Sequence, residues 1–263
     1  MSLNKPSFFS QIPSVVLNLI IINGLFWLGS IILPAKFGLN VTDILGMHYW
    51  ESDKFYLYQL VSYMFMHDTS SISHLFFNMF GLYMFGRILE QVWGSKKFLL
   101  YYMATGVGAA IVQQLFWTVE LWDVSRAFSA AIAENSGAAL ISQEGFLSRY
   151  FRFSNLEALT AIDLISMKTV LFNLPVTVGA SGAVFGILLA FGWLFPDIKL
   201  VMIFFPVPIR ARVFVILYGL AELFLGVANY SGDSVAHFAH LGGMIFGVLL
   251  LLYWRKKGVL YRQ

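Results

Sequence analysis

Gly179-Ala180-Ser181-Gly182-Ala183-Val184-Phe185-Gly186-Ile187-Leu188-Leu189-Ala190-Phe191 places a hydroxyl among small residues at the head of an apolar run that continues to Phe195 and is broken by Pro196-Asp197. From Ser181 to Pro196 is 15 residues, and from His240 to the basic cluster Arg255-Lys256-Lys257 is again 15. At a helical rise of about 1.5 Å per residue, both side chains stand roughly 22 Å above the same boundary. A hydrocarbon core is about 30 Å thick. A hydroxyl and an imidazole at one depth inside a bilayer, a nucleophile and a base, point to hydrolysis within the membrane.

Composition supports the membrane. The chain has 263 residues, 59% of them hydrophobic and 12% charged, with a mean hydropathy of +0.74. A soluble domain of this size does not carry that much apolar surface. Cysteine is absent, which excludes disulfides and thiolate metal sites. The expectation is an all-α polytopic membrane protein, residues 1–263 forming a single embedded domain, with no cofactor, no metal and no nucleic-acid partner. The first apolar run, Val15 to Leu33, lacks a small-residue cleavage site and reads as a span rather than a signal peptide.

Six spans are expected, at about 14–33, 72–93, 98–118, 178–195, 211–229 and 235–254. An even number puts both termini on one side. If that side is cytoplasmic, the inner segments hold Lys5, Arg87, Lys96, Lys97, Lys199, Arg210, Arg212, Arg255, Lys256, Lys257 and Arg262 out of 17 basic residues, against the acids Glu90 and Asp197. By the positive-inside rule both termini are cytoplasmic, and the layout suits a bacterial inner membrane. Two outer loops are long. Residues 34–71 are rich in aromatics (Trp50, Phe55, Tyr56, Tyr58, Tyr63), and residues 119–177 form an insertion in which partly helical spacing of Leu140, Phe146, Leu147, Tyr150 and Phe151 predicts short amphipathic helices. Polar helix is expected to extend the third span outward.

Hydrolysis by serine needs a hydroxyl, a base and donors for the oxyanion. Ser181 supplies the first and His240 the second. Gly179 permits close backbone approach to a substrate carbonyl, and the first turn of a helix leaves N–H groups unpaired. Gly182, Gly186 and Ala190 repeat every four residues, as do Gly243 and Gly247, so the fourth and sixth spans present smooth faces that can meet. His74 and Asn78 share a face of the second span and are both potential oxyanion donors. His237 is an alternative base, nearer the outside. His67 reads as a residue positioning the loop into the second span, His48 as a loop residue, and Glu222, midway along the fifth span, as a structural hydrogen-bonding group. The competing classes are a non-catalytic protein that binds client helices and, ranked last for want of charged spans or broken helices, a channel.

Three motifs resemble those of the rhomboid family of intramembrane serine proteases: His74-Leu75-Phe76-Phe77-Asn78, Gly179-Ala180-Ser181-Gly182, and Ala239-His240-Leu241-Gly242-Gly243 with Gly247. The resemblance covers about residues 55–255. It implies a six-helix bundle with a cavity open to the outer side and a Ser181–His240 dyad without a third acid. It further implies an oxyanion hole lined by His74, Asn78 and the Ser181 N–H, and His237 as a cavity neighbour. Substrates would be single-span membrane proteins cut near the outer end of the span. Where the family's first outer loop often carries Trp-Arg, this chain has Tyr58-Gln59, and its 119–177 loop is longer than in minimal members.

Overall fold

Each expected span is helical over most of its described residues. The structure, a computed structural model, describes residues 12–153, 155–201, 207–228 and 236–260. In chain order its elements are helices α1 (Ser14–Phe37) and α2 (Val41–Leu45), strand β1 (Met47–His48), α3 (Gln59–Ser62), α4 (Ile72–Gly81), α5 (Arg87–Trp93), α6 (Ser95–Glu134), α7 (Glu144–Leu147), α8 (Ala161–Asn173), β2 (Val176–Thr177), α9 (Ser181–Leu194), β3 (Lys199–Leu200), β4 (Ile209–Arg210), α10 (Ala211–Ala228) and α11 (His237–Lys256). Lys5 and Arg262 of the orientation argument, and residues 229 and 235 at two expected span ends, lie outside the described residues. The fold is all-α apart from two-residue strands. Helices α1, α6, α10 and α11 are each long and apolar enough to cross a membrane, and the chain is an integral membrane protein.

The expected second span is helical from Ile72 to Trp93, α4 passing into α5 through a π-helical turn at Leu82–Gly86. Gly94, at φ 76, stops it and starts α6. The third helix runs on past its expected span as polar helix, continuing to Glu134, 40 residues in all. Its end is a Schellman motif: Asn135 takes φ 51, its N–H bonds the Ile132 carbonyl, and the Ser136 N–H bonds the Ala131 carbonyl.

By contact the chain divides into two compact units. The first comprises the described residues within Met1–Gly46, Tyr58–Gln113 and Val178–Gln263. Its central helix is α9, buried on nearly every face through Ala183, Phe185, Ile187, Leu188, Ala190 and Phe191, the pattern of a helix enclosed by others. Helix α10 is the opposite case. Ile216, Leu220, Phe224 and Val227 lie exposed on it, suited to lipid, while Ala211, Val215 and Glu222 form its buried stripe. Trp93, Tyr101 and Trp254 close the basic end of the bundle, with ring centroids 5.0–5.7 Å apart. The first loop is anchored at the Tyr58-Gln59 pair: the Tyr58 hydroxyl and the Gln59 amide both donate to the Ile44 carbonyl, at 3.0 and 3.1 Å.

Glu90, one of the two acids on the basic side, caps α1 from outside that helix. Its buried carboxylate accepts from the N–H groups of Val15 (3.0 Å) and Val16 (2.8 Å) and from the Ser95 hydroxyl (2.7 Å). Two otherwise orphaned N–H groups at the start of α1 are thereby satisfied, with charge assistance. Hydrogen bonds to charged groups contribute about 1.5–3 kcal/mol each. Glu90→Ala is therefore expected to lower the thermal midpoint in detergent clearly. An unchanged midpoint would show the cap to be energetically idle.

The second unit comprises Met47–Leu57, residues 114–153 and residues 155–177. Strands β1 and β2 pair antiparallel, Met47 with Thr177 and His48 with Val176. Gln114 locks the turn after β1, donating to the His48 carbonyl (2.6 Å) and accepting from the Trp50 N–H (3.0 Å). His48, read as a loop residue, lies in β1 and is fully buried. Tyr49 packs edge-on against Trp117 and Phe172. The short helices expected in the insertion are found, including α8, which starts with a Thr160–Asp163 capping box. The Asn135 side chain bonds the Ala161 N–H at 2.7 Å. A cleft of about 260 Å³ in this unit, lined by Trp117, Leu121, Phe146, Tyr150 and Leu171 among others, contains none of the polar residues described next.

Candidate functional site

Ser181 is the first residue of α9. Ala180 is its N-cap, and the first ladder bond runs from the Val184 N–H to the Ala180 carbonyl at 3.0 Å. The N–H groups of Ser181, Gly182 and Ala183 thus fall in the first turn, where intrahelical partners are lacking. Gly179 turns the chain into this helix with φ 131, a conformation that residues with side chains rarely adopt. A Cβ there would lie 2.9 Å from His74 Nε2. Glycine at 179 therefore makes room for an imidazole. Its own N–H is engaged by the Tyr63 carbonyl at 2.9 Å.

His240 lies in the first turn of α11, and its Nε2 is 2.8 Å from Ser181 Oγ. The small faces of α9 and α11 make this possible. A Cβ on Gly243 would sit 1.8 Å from the Gly182 carbonyl oxygen, so the two backbones are in direct contact one turn below the pair. The small-residue pattern also receives α6: Gly186 admits Thr105, and Gly247 admits the Tyr101 hydroxyl beside Leu189 of α9. Phe185, one turn along α9 from Ser181, stacks on the His240 ring at 4.2 Å and 9°. Hydroxyl, imidazole and phenyl form one rigid group.

His74 reaches the same place from α4. Its Nδ1 accepts from the Asp68 N–H at 3.4 Å, which leaves Nε2 as the protonated nitrogen, directed at the Gly179 backbone. His67 packs edge-on against the His74 ring at 5.1 Å and is 1% exposed. Burial, helped by the neighbouring His74, pushes its imidazole down to about 4, so His67 is neutral at physiological pH. It is thus a packing partner of His74, as well as a residue of the loop entering α4. Asn78 is buried one turn along, its amide donating to the His74 carbonyl at 3.0 Å.

Behind His240 stands Glu222 of α10, 4% exposed. Its Oε2 is 2.8 Å from His240 Nδ1 and 2.6 Å from His237 Nδ1. His237, weighed above as a base, has its Nδ1 turned to this carboxylate, and the imidazole beside Ser181 is that of His240.

Over residues 54–257 the sequence matches the family model of the rhomboid domain. The chain belongs to the rhomboid family. Among similar proteins, rhomboid protein 1, mitochondrial, of Saccharomyces cerevisiae is 33% identical over 162 residues, covering 60% of this chain and 43% of that protein. Rhomboid-like protein 11, chloroplastic, of Arabidopsis thaliana is 27% identical over 239 residues, covering 87% of this chain and 64% of that protein. The rhomboid chain described here thus spans about two fifths to two thirds of the length of these relatives.

Of the residues singled out in this rhomboid sequence, the structure draws together Ser181, His240, His74 and Gly179, with Asn78 one turn behind His74 and His237 behind His240. Two neighbours were not singled out for the site. Phe185 was signalled by its place one turn from Ser181 on a single helix face. Glu222 was signalled by being ionisable inside a span, where such groups are functional candidates by default.

Proposed function

We propose that this rhomboid is an active intramembrane serine endopeptidase in which Ser181 is the nucleophile and His240 the base. The carrying observation is the 2.8 Å contact between Ser181 Oγ and His240 Nε2 at the unpaired end of a buried helix. As Ser181 Oγ bonds to the carbonyl carbon of an unwound substrate helix, His240 Nε2 takes its proton. The oxyanion is received by the Ser181 N–H, by His74 Nε2–H and by Asn78, whose amide has a second hydrogen beyond the one given to His74. His240 then protonates the leaving amine, the C–N bond breaks, and water repeats the sequence on the acyl-enzyme, restoring the serine. Substrates are single-span membrane proteins, cut near the outer end of the span.

Helix α9 is 14 residues long, roughly 21 Å, short of a full bilayer core. That length supports a site sunk below the outer surface and reached by water from there. The orientation favoured by the charge pattern has both termini cytoplasmic in a bacterial inner membrane. The printed names of the relatives are organellar, so protease protection in isolated membranes is the test of sidedness.

A fluorophosphonate probe tests the reading directly. Labelling at Ser181 in wild type, lost in His240→Ala, supports an activated serine. Absence both of labelling and of cleavage of a membrane reporter would move the reading to a helix-binding protein. Asn78→Ala is expected to lower turnover on the order of 10²–10³-fold with little change in KM, the effect of losing one oxyanion donor. A rate within threefold of wild type would remove Asn78 from that role.

A further inference from the structure

We infer that Glu222 is a positioning residue for His240, so that this chain works with a Glu222–His240–Ser181 relay braced by His237 rather than with an isolated pair. The inference rests on the Ser181–His240 reading above and goes beyond it, because that reading assigns no acid.

The geometry carries the inference. One carboxylate oxygen, Oε2, faces two imidazole Nδ1 atoms at 2.6 and 2.8 Å. An ionised carboxylate only accepts, so both contacts are hydrogen bonds if each imidazole carries its proton on Nδ1. A protonated Oε2 could donate to only one of the two. With Nδ1–H of His240 directed at Glu222, the lone pair of Nε2 is left for Ser181 Oγ, 2.8 Å away. The contact on one side of the ring thus sets the tautomer that the chemistry needs on the other. Phe185 fixes the ring plane by stacking, which leaves Glu222 to set the rotation within that plane.

The surroundings show a built arrangement. Glu222 lies on the buried stripe of α10, where Gly219 and Gly226 let α11 approach closely. A Cβ on Gly226 would lie 3.1 Å from His237 Cβ, and one on Gly219 would lie 3.1 Å from Met244. The second donor, His237, holds the same carboxylate oxygen at 2.6 Å. Burying a charge in a span is costly unless it is paired. Here two donors are supplied, and one of them is the base itself.

The test compares wild type, Ser181→Ala, Glu222→Gln and Glu222→Asp in cleavage of a single-span reporter, with thermal melting of each. Glutamine keeps the shape but can offer an N–H to His240 Nδ1 and so favour the wrong tautomer. Glu222→Gln is expected to lower kcat on the order of 10²–10⁴-fold with KM unchanged, the size of loss seen when the acid of a serine triad becomes an amide. Glu222→Asp is expected to recover part of it. Glu222→Gln within threefold of wild type, beside an inactive Ser181→Ala, would overturn the relay and leave the Ser181–His240 pair standing. Cleavage by Ser181→Ala would overturn the pair itself. Ring ¹⁵N NMR of His240 in wild type reads the tautomer without relying on any variant to fold. A protonated Nδ1 supports the relay, and a bare Nδ1 overturns it. Equimolar metal in purified wild type, lost from Glu222→Gln, would also overturn the relay, since Glu222, His237 and His240 place three ligand atoms within 4.8 Å of one another.

Discussion

Ser181→Ala is expected to abolish cleavage of a membrane-embedded reporter and to leave the fold intact. The two halves of this expectation have different sizes. Among the described residues the Ser181 hydroxyl makes one hydrogen bond, to His240. A neutral hydrogen bond contributes about 0.5–1.5 kcal/mol to stability, so the melting temperature moves little. A nucleophile acting as a unit with its base is worth on the order of 10⁶ in turnover. The measurement is product formation by purified protein in detergent or vesicles, beside a melting curve of the same preparation. Full activity in the alanine variant would end the serine mechanism for this chain.

Gly243→Ala is expected to be nearly as severe, by another route. The added methyl would sit 1.8 Å from the Gly182 carbonyl oxygen and 2.7 Å from the carbonyl carbon. These are backbone atoms in the first turn of α9 and cannot rotate away. Carbon and oxygen need about 3.3 Å even in a close Cα–H···O contact, so α9 and α11 must part by roughly 1.5 Å. The Ser181–His240 contact then leaves the reach that proton transfer requires, about 2.6–3.2 Å. A misplacement of about 1 Å costs on the order of 10² in rate. Turnover should fall at least that far, with a lower melting temperature, whereas Gly24→Ala on α1, with open space around its Cβ, should be silent in both assays. Normal kinetics in Gly243→Ala would contradict the apposition of the two helices.

The proximity of Ser181 and His240 was legible because it follows from counting. Distance along a helix converts directly to depth, so residue spacing to a helix break was enough to set Ser181 level with His240. The smooth faces were legible for the same reason, although they serve more than the α9–α11 contact: Gly186 receives Thr105 of α6, and Gly247 receives Tyr101 of α6 as well as Leu189 of α9. Depth says nothing about rotation. Whether Glu222 turns to lipid or to His240 depends on the azimuth of α10, which is set by Ala211, Val215 and the glycines 219 and 226 together. Its pairing was therefore hidden. The fold of the 119–177 insertion was hidden for a further reason. It depends on contacts distant in sequence, such as Gln114 on the turn after His48 and the Ser52 hydroxyl on Asn173, which no local pattern reveals. The length of α6 was only half visible, because Glu120, Asp123 and Arg126 end an apolar run without ending a helix.

The partnership of Glu222 with α11 also bears on how the chain is made. As α10 emerges during synthesis, it brings an acid at mid-span toward lipid before its partners exist. A charged residue at the centre of a nascent span opposes insertion by about 2.5–3.5 kcal/mol on the translocon scale. His237 and His240 arrive only with the next helix. Insertion of α10 together with α11 would therefore place Glu222 and His240 in the bilayer in one event.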